Sequence, residues 1–122
     1  MANMTVWFEL PVRDIDRAIR FYQAVFGFEM RVQEFEGVPM GFFPMEGFDN
    51  GGALVKGDDY QPSSQATTVY FNGGEDLSGP LGRVQGAGGS VITPKTGIGE
   101  GMGYFALFLD TEGNRVGLHS MK

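Results

Sequence analysis

Residues 5–28 read TVWFELPVRDIDRAIRFYQAVFGF, and that stretch constrains the fold more than any other. Over residues 5–12 Phe8, Leu10 and Val12 alternate with Trp7, Glu9 and Pro11. A period of two is a strand whose two faces meet different surroundings. Asp14 follows as a helix N-cap, because its carboxylate can accept from the orphan amides of a first turn. Ile15, Ala18, Ile19, Tyr22, Val25 and Phe26 then fall at helical spacing and form one apolar stripe. Gly27 ends the helix, since it enters the left-handed region without a Cβ clash. The chain therefore opens with a strand, a sharp stop and an amphipathic helix.

The remainder divides into similar pieces. Strands are expected over 29–35, 38–44 and 51–56, with a turn at Glu36 and Gly37 and a polar loop over 45–50. Residues 57–65, GDDYQPSSQ, break any period and read as a linker. A strand over 66–72 opens the second half. Asp76 can cap a helix over 77–86, which Gly79, Pro80 and Gly82 weaken on propensity alone. A strand over 90–94, a Gly-rich loop over 96–103 and a hairpin of 104–109 with 115–120 complete the order. The two halves share an element order, strand, helix and three strands, more than they share residues.

The segments LPVRD, RAIRFY and VFGF, with the closing GYFALFLDTEGNRVGLHS of residues 103–120, carry a resemblance. They are similar to the opening and the final hairpin of the vicinal-oxygen-chelate superfamily, which includes glyoxalase I, bleomycin-resistance proteins and extradiol dioxygenases. Residues 110–114 stand in place of that family's usual Asp-Pro-Asp-Gly-Asn turn. The resemblance implies an α+β fold of two βαβββ modules, about 4–56 and 66–122, in one glyoxalase-like domain spanning 1–122. It further implies paired, curled mixed sheets around a cleft.

The charge balance excludes some partners. A formal net charge of −6, with no basic stripe, argues against nucleic acid and an anionic membrane surface. No cysteine is present, so neither a disulfide framework nor a thiolate nucleophile is expected. The N-terminus shows no basic segment followed by an apolar run, and no apolar stretch approaches the roughly 20 residues that span a bilayer, so a cytoplasmic location is expected.

The superfamily's enzymes hold a divalent metal with one His, Gln or Glu from each of four strands. The resemblance places those positions at Trp7, within Gly51–Val55, at Thr67 or Thr68, and at Gly117. None supplies a proper ligand, so no metal and no other cofactor is expected. Glu9 and His119, the single histidine, each stand two residues beyond a lost position and so share its face. They offer either a displaced metal site or acid/base groups; Glu9 alternatively pairs with Arg31, Arg115 or a backbone amide, and His119 is alternatively an ordinary half-exposed residue. Tyr70 offers a hydroxyl to a ligand or packs in the core. Candidate catalytic residues are Glu9, His119 and Tyr70. Candidate ligand contacts are Trp7, Glu9, Thr68, Tyr70, Gly117 and His119. Met40, Phe42, Phe43, Met45 and Phe48 form an apolar stretch, mostly core, whose surplus suits a greasy ligand. The glycines at 97, 99, 101 and 103 lack the context of a phosphate loop and suggest a mobile flap.

The expected function is binding of a small apolar or aromatic molecule in a cleft without metal. A glyoxalase-related lyase or isomerase, and a drug-sequestering protein of the bleomycin-resistance kind, are the alternatives. The resemblance also implies a homodimer.

Overall fold

A computed structural model describes residues 4–46 and 50–122; Phe48 lies outside them. The element order is β1 (Trp7–Pro11), α1 (Ile15–Phe26), β2 (Arg31–Phe35), β3 (Val38–Phe42), β4 (Gly51–Val55), β5 (Val69–Asn72), α2 (Ser78–Val84), β6 (Ser90–Gly99), β7 (Gly103–Leu109) and β8 (Arg115–Ser120). Two four-stranded sheets result, with orders β1-β4-β3-β2 and β5-β8-β7-β6. In each, the first strand runs parallel to the last of its group and the other pairings are antiparallel. This is the α+β, twice-βαβββ architecture that the resemblance implied.

Local chemistry explains α1. The Asp14 carboxylate accepts from the Arg17 amide at 3.0 Å. Gly27, at φ 75°, ends the helix and donates to the Gln23 carbonyl at 2.9 Å. Its buried residues are Ala18, Ile19, Phe21, Tyr22 and Val25. Tyr22 packs 5.3 Å from Phe43 of the first module and 5.8 Å from Phe71 on β5. Phe21 packs 5.9 Å from Phe108 on β7. The helix therefore lies between the sheets, and one hydrophobic core, with Leu10 and Leu54 from one side and Val116 and Leu118 from the other, serves both.

The turn between β7 and β8 locks onto the start of α1. Glu112, 2% exposed, accepts from the amides of Arg13 and Asp14 and from the Arg17 guanidinium at 2.8 to 2.9 Å. Asp110 accepts from the buried Tyr22 hydroxyl at 2.7 Å and from the amides of Glu112 and Asn114. Burial and the Asp110 carboxylate together push the Tyr22 hydroxyl pKa well above its usual range. Asn114 donates to the Pro11 carbonyl at 2.8 Å.

Some boundaries differ from expectation. β6 runs through to Gly99, so most of the Gly-rich stretch is not a loop. Thr96 pairs with Phe105, Gly97 with Tyr104 and Gly99 with Gly103. The pairing tolerates this sequence through register shifts along β6 and through Gly99 and Gly103 at φ 142° and 81°. A paired hairpin arm replaces the expected flap. α2 is shorter than expected; Asp76 accepts from the Ser78 amide at 2.9 Å, and Pro80 and Val84 are buried. Among the described residues no helix is long and apolar enough to cross a membrane.

Candidate functional site

Strand alternation sends Leu10 to the core and Trp7 and Glu9 to the opposite, outer face of the first sheet. Glu9 accepts from the Trp7 indole N–H at 3.3 Å and from the Tyr60 hydroxyl at 2.9 Å. Neither Arg31 nor Arg115 pairs with it; Arg115 instead donates to the Thr68 hydroxyl at 3.0 Å. The bond to Glu9 and the charge of that carboxylate raise the pKa of Tyr60. The Trp7 ring meets Phe42 edge-on at 5.9 Å. Trp7 and Met45 both lie over Gly51, where a Cβ would fall 2.8 Å from the indole. A cavity of about 560 Å3 on this side is lined by Arg31, Gln33, Phe42 and Met45 among others. Phe43, by contrast, is buried in the core.

The second group occupies the outer face of the other sheet. Tyr70 on β5 is paired with Gly117 on β8, and Asn72 with His119. Tyr70 is not a core residue: it is 51% exposed. Its ring lies across Gly117, and a Cβ there would overlap it. Gly117 is therefore a covered seat for Tyr70 and not an open notch. The Tyr70 ring also meets Phe105 at 6.5 Å. His119 is half-buried and its Nε2 donates to the Met102 carbonyl at 2.8 Å. A cavity of about 610 Å3 is lined by Tyr70, Asn72, Glu75, His119 and Lys122 among others.

The structure thus gathers the candidates as two sets. Trp7 and Glu9 share one face, and Thr68, Tyr70, Gly117 and His119 belong with the other sheet. Among the described residues no hydrogen bond or ring contact joins the sets. A metal held by Glu9 and His119 within one chain does not fit, since Glu9 stands on β1 of the first sheet and His119 on β8 of the second, in sets that no hydrogen bond or ring contact joins among the described residues. The four positions that the resemblance assigns do not fit a metal either: indole, glycine and aliphatic groups lack a donor, and the threonine hydroxyl at 67 or 68 is a poor one, that of Thr68 being held by Arg115. Among the described residues, no three His, Asp or Glu side chains converge so as to hold a metal ion.

Tyr60 is the site residue that sequence reasoning missed. The signal was present, a lone aromatic in the otherwise polar 57–65 segment, but linker composition concealed it.

Comparison with solved structures gives close overlaps in shape. A glyoxalase-related enzyme from Fulvimarina pelagi superposes with a TM-score of 0.72 at 18% identity, over 97% of this chain and 88% of that one. The genomically encoded fosfomycin resistance protein FosX from Listeria monocytogenes gives 0.71 at 20%, over 98% and 92%. A glyoxalase/bleomycin resistance protein from Streptomyces sp. CB03234 gives 0.68 at 26%, over 93% and 97%. No curated protein sequence matches significantly. A family profile matches residues 5–118, nearly the whole chain; with its two βαβββ sheets, this protein belongs to the Glyoxalase/Bleomycin resistance protein/Dioxygenase superfamily.

Proposed function

We propose that this protein binds a small apolar or aromatic molecule without using a metal, in a cleft that a homodimer completes. What supports the reading is the chemistry at the four positions that the resemblance assigns as ligands, where Trp7, the apolar Gly51–Val55 strand, Thr67 or Thr68 and Gly117 offer no good metal donor. What stands there instead is aromatic: Trp7 against Phe42 on one face, and Tyr70 over Gly117 on the other. Glu9, held by Trp7 and Tyr60, supplies a fixed polar group beside the first ring. Burying about 100 Å2 of a flat ligand contributes roughly 2–3 kcal/mol, which a few polar contacts at about 1 kcal/mol each bring to binding in roughly the millimolar range.

The two sets need a second copy to meet. Phe35, 68% exposed at the end of β2, and Tyr70 add to apolar surface on the outer faces, which a partner chain would cover. Light scattering at micromolar concentration is expected to give twice the 13.3 kDa chain mass; a monomer mass would refute the dimer.

Metal content tests the central claim. Protein purified without chelator should carry no stoichiometric divalent metal. One equivalent of zinc, nickel, iron or manganese retained through dialysis would overturn it. Aromatic ligands should quench Trp7, the only tryptophan; ligands that bind without affecting its emission lie elsewhere. Turnover of a hemithioacetal would move the protein from binder to lyase or isomerase. The glyoxalase/bleomycin resistance protein among its structural neighbours supports a sequestering role as the second reading, tested by whether expression protects cells from bleomycin.

A further inference from the structure

We infer that His119 is a ligand-binding residue whose Nδ1 accepts a hydrogen bond from a planar aromatic molecule bearing an N–H or O–H donor, seated against the Tyr70 ring. The inference deepens the reading above by naming the chemistry of one polar anchor, and rests on that reading only in treating this outer face as a binding surface.

The first premise is the ring's tautomer. The Met102 carbonyl can only accept, so Nε2, 2.8 Å away, must carry a hydrogen. In the neutral imidazole the other nitrogen, Nδ1, is then an acceptor. Among the described residues it has no hydrogen-bond partner. The anchor is built into a tight turn: Met102 donates its own amide to the Gly99 carbonyl at 3.1 Å. Gly103, at φ 81°, lets the turn approach β8 closely; a Cβ there would stand 3.2 Å from His119 Nε2 and inside the Ser120 carbonyl. The histidine is therefore oriented by backbone that few other residues could provide.

The second premise is the wall beside it. Tyr70 lies on Gly117, one ring face down and the residue half exposed. Its strand neighbour Asn72 is paired with His119, so the Tyr70 and His119 positions are offset by two residues along adjacent strands. At 3.3 Å per residue that offset is about 7 Å, the span of one aromatic ring system with its polar atom. The Asn72 Oδ1 is taken by the Gly74 amide at 2.8 Å, which leaves its N–H2 as a donor without a partner among the described residues. Both residues line the same cavity of about 610 Å3. An apolar ring with one donor satisfies the wall and the acceptor together; a purely apolar ligand would strip water from Nδ1 and offer nothing in return.

Indole and its donor-free isostere benzothiophene test this on the full chain. With one histidine in the sequence, long-range 15N–1H spectra in mildly alkaline buffer report its tautomer without ambiguity. The expected results are the Nε2–H tautomer, a saturable shift of Nδ1 and of the Tyr70 ring signals on adding indole, and roughly tenfold weaker binding of benzothiophene. In His119→Phe the two probes should bind alike, and in Tyr70→Ala both should weaken. An Nδ1–H tautomer, equal affinity for the two probes in the unaltered protein, an unmoved Nδ1 on binding, or no binding of indole would each overturn the inference. The unaltered protein alone decides if His119→Phe fails to fold. A His119 response without Trp7 quenching would sustain this site while sinking the shared cleft.

Discussion

Replacing Glu112 by glutamine is expected to cost about 2–3 kcal/mol at neutral pH and to remove part of the protein's sensitivity to acid. Burial works to raise the pKa of this carboxyl. The Arg17 guanidinium and the amides of Asp14 and Arg13 outweigh burial and bring it from 4.5 down to about 2. The Arg17 side chain is 45% exposed, so solvent screens part of its contribution. That places the change at the lower end of what breaking a buried pair costs. The sign follows from linkage. The unfolded chain binds the proton more readily, so the stabilisation is complete above about pH 4.5 and disappears as pH falls toward about 2. Urea unfolding of both proteins should show a gap at neutral pH that narrows steadily through that window. Asp76 is also lowered to about 2, by the Ser78 amide first and Lys95 second. It is untouched in the variant, so the difference isolates Glu112. A gap that stays constant from neutral to acid pH would show that the charge of Glu112 contributes nothing.

A larger loss is expected at Phe108. Its side chain is fully buried on β7 and meets Phe21 of α1 at 5.9 Å, so it joins the first module's helix to the second module's sheet. Phe108→Ala leaves a ring-sized void between hydrogen-bonded strands and a helix held at both ends, where little can collapse inward. The expected cost is about 3–5 kcal/mol, or on the order of 10–20 °C in melting temperature for a chain of this length. Phe108→Leu should recover most of it. Calorimetry on the three proteins checks this, and an alanine variant within 1 kcal/mol of the parent, at about 4 °C, would mean that the two layers do not share one core.

What the sequence disclosed follows from how local each cause is. Helix α1 was legible because Asp14, the apolar spacing and Gly27 act within a few residues of one another. Phe21 was left out of its stripe because a single stripe assumes one packed face, and this helix is packed by a sheet on either side. β6 was read short because TGIG carries no alternation; its pairing with β7 is made by backbone groups, which need no side-chain pattern. That Trp7 and Glu9 share the face opposite Leu10 followed from period two alone. Their partner Tyr60 did not, since a bond spanning 51 residues has no local trace. Tyr70 covering Gly117 was hidden for the same reason: a missing side chain reads as space until a neighbour from another strand fills it. The charge of Glu112, within a turn recognised by Asp110, Gly113 and Asn114, gave no hint that its partners lay 95 to 99 residues earlier.

The bonds from that late turn to the first helix set an order of events during synthesis. The amides of Arg13 and Asp14, and the Pro11 carbonyl, meet their partners only in Glu112 and Asn114, 98 to 103 residues downstream. A nascent chain can therefore pair β1 with β4 early, yet the entry to α1 stays without Glu112 until the turn between β7 and β8 has left the ribosome. The loop that must close spans 98 to 103 residues, and its entropy cost is offset only when that contact forms. A chain that stops short of the turn, whether by truncation or by premature release, leaves the Arg13 and Asp14 amides without Glu112, and is expected to be more open to aggregation or proteolysis than the full fold.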